Sequence, residues 1–118
     1  MAATNQNVTI YAGDDTELSM SLFQSDGTTP LDLTGAVVNW ALSSAYNVQF
    51  PLIEKSSDNP GEVTITDIPG GLVSVFLVPI DTADMGGQPY YHEVEVVQGG
   101  TSVTVLTGGV TINETALS

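Results

Sequence analysis

The chain has 118 residues, the usual size of one domain, and its 42% hydrophobic content excludes the disordered class. Fourteen Asp and Glu face a single basic residue, Lys55, and the resulting net charge of −13 argues against nucleic acids and anionic membranes as partners, because binding to either depends on Lys and Arg. There is no cysteine, so disulfides and thiolate metal sites are excluded.

The first part of the chain predicts strands after a polar start. Residues 1–7 form a polar N-terminal arm without the basic start and apolar stretch of a secretory signal. A short β-prone run follows over residues 8–11. In residues 16–24, apolar and polar side chains alternate, which is the period of a strand.

The middle of the chain continues this pattern. A strand is predicted over residues 36–42, in which Trp40 lies on the same face as Val38 and Leu42. A loop containing Tyr46 follows. Pro51 marks residues 50–56 as an edge strand, since proline cannot donate to a ladder. We therefore expect added strand pairing at the first or the last strand instead.

The second half contains the longest apolar run and the only helical signal. Residues 72–78 are almost continuously apolar and predict a central strand covered on both faces. One short helical turn is predicted near 80–85, capped by Asp81. Residues 90–97 alternate, a Gly-Gly pair predicts a hairpin, and 113–118 form a polar tail.

These elements predict an all-β fold. Short strands separated by turn residues roughly every eight to twelve positions are typical of a sandwich or barrel. We count seven to nine strands in a single β-sandwich domain spanning 1–118. Two antiparallel sheets packed face to face are the natural way to bury their apolar faces.

Three segments, taken in order, resemble bacteriophage virion proteins with an immunoglobulin-like β-sandwich, of the decoration or cement type or the N-terminal domain of baseplate upper proteins. The segments are Gly13-Asp14-Asp15-Thr16 with Leu31-Asp32-Leu33-Thr34-Gly35-Ala36, then Gly61-Glu62-Val63-Thr64-Ile65, and finally Asp81-Thr82-Ala83-Asp84-Met85 with Tyr90-Tyr91-His92-Glu93-Val94.

The resemblance implies a non-enzymatic structural protein of the virion, assembled in the host cytoplasm. Its partners would be other capsid or tail proteins and further copies of itself. A capsid decoration role is the first expectation, and a tail, baseplate or head-fibre attachment module is the second. The resemblance also implies two structural positions: Trp40 as the core tryptophan and Tyr90 as the corner tyrosine of an immunoglobulin-like sandwich.

Catalytic chemistry has little support in the sequence. His92 is the only histidine, and it lies in a predicted strand, where a locally bonded or interface residue is the ordinary interpretation. Glu93 and Glu95 share one strand face, where paired carboxylates could serve glycoside hydrolysis, but a solvated or partner-facing acidic stripe explains them better. We predict no catalytic residue and no cofactor.

Candidate binding residues remain. Asp14, Asp15 and Glu17 form the densest acidic cluster and are candidate calcium ligands, although turn chemistry also explains them. Candidate interface residues are Tyr46, Tyr91, Glu93 and Glu95. A carbohydrate- or receptor-binding module is the alternative function, because sandwiches often display binding loops at one end.

Overall fold

The computed structural model describes residues 6–44, 51–86 and 88–114. Within these ranges the chain forms eight strands and one short helix. They are β1 (Val8–Tyr11), β2 (Thr16–Ser21), β3 (Val37–Ser43), β4 (Ile53–Ser56), β5 (Val63–Asp67), β6 (Leu72–Leu77), α1 (Pro79–Thr82), β7 (Pro89–Gln98) and β8 (Thr101–Asn113).

The strands form two sheets that pack face to face. One has five strands in the order β1-β8-β7-β3-β4, and the other has three in the order β2-β6-β5. Neighbouring strands are antiparallel except β1 and β8, which run parallel. The predicted two-layer, all-β architecture is therefore confirmed, with β7 at the centre of the larger sheet between β8 and β3.

Alternation along the strands builds the core. Every second residue of β3 and of β7 is buried, because successive side chains point to opposite faces of a sheet. Trp40 lies at the centre and is 1% exposed. The other fully buried large side chains come from both layers: Leu22, Leu33, Val38, Leu42, Val73, Val75, Leu77, Val94 and Val110.

The short helical turn predicted near 80–85 is confirmed, but its cap differs from the prediction. It covers Pro79–Thr82, with proline in its first turn and Val78 at the N-cap position. Asp81 is not the capping residue. It lies in the first turn and accepts a hydrogen bond from the Val78 N–H at 2.8 Å, so the carboxylate reaches back to the residue that precedes the helix.

Two strand predictions need correction. β6 is central within its sheet, but its outer face is covered only in part: Ser74 is buried and Phe76 half-buried, while Leu72 is 40% exposed. The fourth strand begins at Ile53, later than predicted, and Phe50 lies outside the described residues. β4 is an edge strand, as Pro51 indicated.

The end of the N-terminal arm lies along β8. The Gln6 N–H donates to the Thr107 carbonyl at 3.0 Å, and the Gly109 N–H donates to Asn7 Oδ1 at 2.8 Å. A Cβ on Gly108 would stand 2.0 Å from the Gln6 carbonyl oxygen, so only glycine allows this approach. Asn113, predicted to begin the tail, is the last residue of β8.

Candidate functional site

The outer side of the five-stranded sheet carries a groove of about 530 Å³. Its floor comes from short side chains of β3, and its walls come from β7, β4 and the turn before β5. We call this surface the acidic face. Its principal residues are Asn39, Ala41, Ser43, Glu54, Ser56, Asn59, Glu62, Glu93 and Glu95.

Strand register explains the shape of the groove. Ala41 pairs with Glu93 and Asn39 with Glu95 across the β3–β7 ladder, so short side chains lie beside long ones. Directly paired residues point to the same face of a sheet. The Asn39 amide donates to Glu95 Oε1 at 3.2 Å and holds that carboxylate over the floor.

The carboxylate of Glu62 is also held by hydrogen bonds, on the side of the groove opposite β7. Glu62 Oε1 accepts hydrogen bonds from the Ser56 N–H at 3.0 Å and from Asn59 Nδ2 at 3.1 Å. Glu54 lies on β4 and is exposed. The acidic face thus places four carboxylates around one concavity, and two of them are held by neutral donors.

The chain's one basic side chain does not neutralise these acids. Lys55 borders the groove, but its Nζ lies 2.9 Å from Asp81 Oδ2, and the two side chains are only 11% and 17% exposed. This ion pair ties the edge strand β4 to α1. Among the residues that the structure describes, no basic side chain therefore forms an ion pair with the carboxylates of the acidic face.

Three of the four candidate interface residues lie on one strand face. Tyr91, Glu93 and Glu95 alternate along β7 on its outer side, opposite the buried residues. Tyr46, the fourth, lies outside the described residues. Sequence reasoning missed Glu54 and Glu62, although the alternation of β4 could have indicated the outward direction of Glu54.

The candidate calcium cluster does not converge. Glu17 Oε2 accepts a hydrogen bond from the Ser74 hydroxyl at 2.9 Å on the outer face of the smaller sheet. Asp14 and Asp15 belong to the exposed turn before β2. In the part of the chain that the structure describes, no three acidic or histidine side chains are placed to hold one ion.

His92 is 2% exposed, and both of its ring nitrogens are hydrogen bonded. The Trp40 indole N–H donates to Nδ1 at 2.9 Å, so Nδ1 carries no proton and Nε2 is the donor. Nε2 lies 2.6 Å from the Gln6 carbonyl oxygen. Burial lowers the pKa of His92 below its usual value, against the opposing effect of the Gln6 hydrogen bond.

Cross-strand pairing explains how His92 reaches the N-terminal segment. His92 pairs with Gly108, which has no side chain. The space above Gly108 is taken by the backbone of Gln6. The histidine therefore joins β7, β3 and the N-terminal segment through contacts distant in sequence, whereas the ordinary interpretation expected local bonding or an interface position.

Tyr90 lies at the start of β7 and is 3% exposed. Its hydroxyl oxygen accepts a hydrogen bond from the Gly86 N–H at 3.4 Å, four residues upstream. A tyrosine bonded back to the preceding backbone in this way fixes the corner between strands of the two sheets.

Comparison with known proteins gives fold but no family. No protein-family model and no curated protein sequence matches the chain. Among solved structures, the NK cell receptor NKp44 is similar with a TM-score of 0.50 and 15% identity, over 92% of this chain and 98% of the receptor chain. The second Ig domain of the mouse polymeric immunoglobulin receptor has a TM-score of 0.47 and 15% identity, over 96% and 97% of the two chains.

The predicted immunoglobulin-like β-sandwich is confirmed by its two sheets and by the similarity to NKp44. Antibody domains carry a half-cystine two residues after the corner tyrosine, and His92 occupies that position after Tyr90. Its ring meets Trp40 edge-on, with centroids 6.1 Å apart. No helix in the described ranges is long and apolar enough to cross a membrane.

Proposed function

We propose that this chain is a non-enzymatic attachment domain that binds a basic protein surface through its acidic face. The observation that carries the proposal is the groove of about 530 Å³ with four carboxylates, none of which forms an ion pair with a described basic side chain, since Lys55 at its border pairs with Asp81. A surface of one sign attracts partners of the opposite sign and raises their association rate.

The hydrogen bonds that already hold two carboxylates of the acidic face support binding to a protein. Asn39 and the turn before β5 already hold Glu95 and Glu62 in place, so less side-chain entropy is lost when a partner binds. Tyr91 lies on the same strand face and adds a ring of the kind favoured in interfaces.

The absence of catalysis is part of the proposal. The single histidine is buried and holds the N-terminal segment, so neither of its nitrogens is open to a substrate. Glu93 and Glu95 lie on an open strand face. Such an open face does not enclose a substrate or exclude water from it.

The partner we propose is the surface of a bacteriophage particle, with the chain acting as a capsid decoration protein. Support comes from the order of the turn and strand motifs in the sequence, which resembles small virion proteins with this fold. A tail, baseplate or head-fibre position would use the same face against a different virion protein.

Co-sedimentation with particles that lack the chain tests this proposal. We expect the purified chain to bind such particles, and we expect Glu93→Gln/Glu95→Gln to weaken binding at least roughly tenfold, since close charge pairs contribute on the order of 1.5 kcal/mol or more. Asp15→Asn/Asp84→Asn is the matched control, because it removes the same charge from exposed positions outside the groove.

Each result separates the alternatives. No binding to particles contradicts the virion role. Equal loss in both double variants means that net charge matters rather than the acidic face. Labelling of the bound chain on capsid or tail by electron microscopy distinguishes decoration from a tail module, and binding on a glycan array would favour the carbohydrate-binding alternative.

A further inference from the structure

Among the described residues, one edge of the five-stranded sheet is only partly covered. β1 pairs with β8 at Val110–Asn113, and the last described contact of the N-terminal segment with β8 is at Thr107. From Thr101 to Leu106, β8 has β7 on one side and no described strand on the other. We call this stretch the open edge.

The hydrogen-bonding direction of the open edge follows from the ladder. Gln98 and Thr101 close the hairpin around Gly99 and Gly100, which both have positive φ. In a two-residue hairpin the closing pair bonds to each other, and the backbone groups then alternate sides along the strand. Ser102 and Thr104 therefore direct their N–H and C=O groups away from β7.

An apolar groove of about 320 Å³ lies beside the open edge. Val96, Val103 and Val105 line it from the larger sheet, and Phe23 and Leu31 line it from the other side. Val103 is 49% exposed. An added strand would cover this groove with every second side chain, because side chains alternate between faces.

Charge distinguishes this edge from the rest of the molecule. None of the residues lining the groove is charged, in a chain with fourteen Asp and Glu. Exposed edges are usually protected by charged residues or proline, and the open edge has neither. On the outer side, Thr104 pairs with Glu95 of the acidic face, so an added strand would lie two strand spacings, about 10 Å, from the backbone of Glu95, a distance that a lysine and a glutamate side chain span together.

We propose that the open edge binds an extended segment of the partner protein by β-strand addition, a segment in which apolar and basic residues alternate. The backbone groups of Ser102 and Thr104 pair with the segment, its apolar side chains fill the groove, and its basic side chains face Glu95 and the acidic face. This proposal rests on the proposed attachment function and specifies how the partner is held.

The probe is a capped seven-residue peptide of alternating lysine and valine, added to the isotope-labelled full chain. We expect the amides of Ser102 and Thr104 to shift and their hydrogen exchange to slow at least about tenfold, because new backbone bonds protect them. A peptide alternating glutamate and valine, and one with the lysines and valines in separate blocks, should leave both amides unchanged.

Thr104→Pro removes an outward N–H while leaving the bonds to β7 in place. We expect it to weaken binding of the lysine–valine peptide at least roughly tenfold, and Thr104→Val, which keeps the donor, to have no comparable effect. Unchanged exchange at Val94 and Leu106 shows that the Pro variant keeps its ladder. Should that variant unfold, Val103→Lys tests the groove instead.

Peptide shifts elsewhere, or peptide binding that survives both variants, overturn the proposal. A concentration-dependent dimer that Thr104→Pro abolishes also overturns it, because the occupant of the open edge would then be a second copy of the chain. Peptide binding that requires removal of residues 1–5 overturns it as well. If Glu93→Gln/Glu95→Gln abolishes particle binding and Thr104→Pro does not, the open-edge proposal fails while the proposed function stands.

Discussion

The indole N–H of Trp40 donates a hydrogen bond to Nδ1 of His92 at 2.9 Å, in the centre of the larger sheet. Both side chains are almost fully buried. The bond fixes the histidine tautomer and directs Nε2 toward the Gln6 carbonyl. Core packing and attachment of the N-terminal segment thus depend on one neutral ring.

The first prediction concerns pH. A proton on Nδ1 would oppose the Trp40 N–H, and burial lowers the pKa of His92 below its usual 6.5. The unfolded chain therefore takes up a proton at a higher pH than the folded chain. The stability that His92 contributes is complete above about pH 6.5 and decreases as the pH falls toward the folded pKa.

The measurement is the urea midpoint of the chain and of His92→Gln between about pH 8 and pH 5. We expect the native chain to lose stability relative to the variant across this range. Hydrogen bonds from Thr29 and Thr34 lower the pKa values of Asp26 and Asp32, so these two groups affect stability only below about pH 4, outside the range of this measurement. Parallel pH profiles would contradict the role of His92.

The second prediction tests the pair directly. Trp40→Phe removes the donor and leaves Nδ1 of His92 buried without it, so we expect a loss of about 1–3 kcal/mol in the free energy of unfolding. The pKa of His92 should rise, which NMR titration measures. A double-mutant cycle with His92→Gln should give a coupling energy of at least about 0.5 kcal/mol, and strict additivity would contradict the contact.

The third prediction concerns Gly108. A methyl group there would collide with the Gln6 backbone, so Gly108→Ala should destabilise the chain by about 1–3 kcal/mol or displace the N-terminal segment. The displacement would show as hydrogen exchange at Gln6 and Val8 that is faster in the variant than in the native chain, while exchange at the amides of β3 stays the same. Gly99→Ala tests a glycine without a close neighbour and should leave Gln6 exchange unchanged.

The fourth prediction concerns the single cation. Lys55→Gln leaves the Asp81 carboxylate partly buried without its ion partner, so we expect a loss of about 1–3 kcal/mol, measured by chemical denaturation. Adding Asp81→Asn should recover part of this loss, because the unpaired charge is then gone. No recovery in the double variant would show that packing, rather than charge, explains the effect.

The fifth prediction separates folding from binding by their response to salt. Raising NaCl from about 0.05 to 0.5 M screens repulsion among the negative charges, so the melting temperature should rise. Binding to the particle should weaken over the same range, because the acidic face acts through charge. A melting temperature that does not change would contradict the first expectation, and salt-independent binding would contradict the second.

The sequence predicted the sandwich because strand alternation reports burial directly. Trp40 and Tyr90 could be placed by resemblance, and Glu93 and Glu95 could be put on one face by their spacing. The partners of His92 could not be predicted, since Gln6 and Trp40 are brought to it by the β1–β8 and β3–β7 registers, which are long-range.

Other parts of the site depend on tertiary structure in the same way. Glu62 precedes a strand of the smaller sheet, yet its carboxylate bonds to the backbone of β4 in the larger one. Asp81 looked like a helix cap, while the fold gives it Lys55 as a partner. Lys55 and Asp81 are distant in sequence, while Glu62 and Ser56 are close but belong to different sheets, so neither contact follows from the alternation within one strand.

The most direct test of the account is a cryo-electron microscopy map of particles carrying the chain. We predict that the outer side of β3 and β7 faces the particle, with Glu93 and Glu95 against basic residues of a virion protein. A map in which this face is turned to solvent, or in which the chain is missing from the particle, would contradict the account.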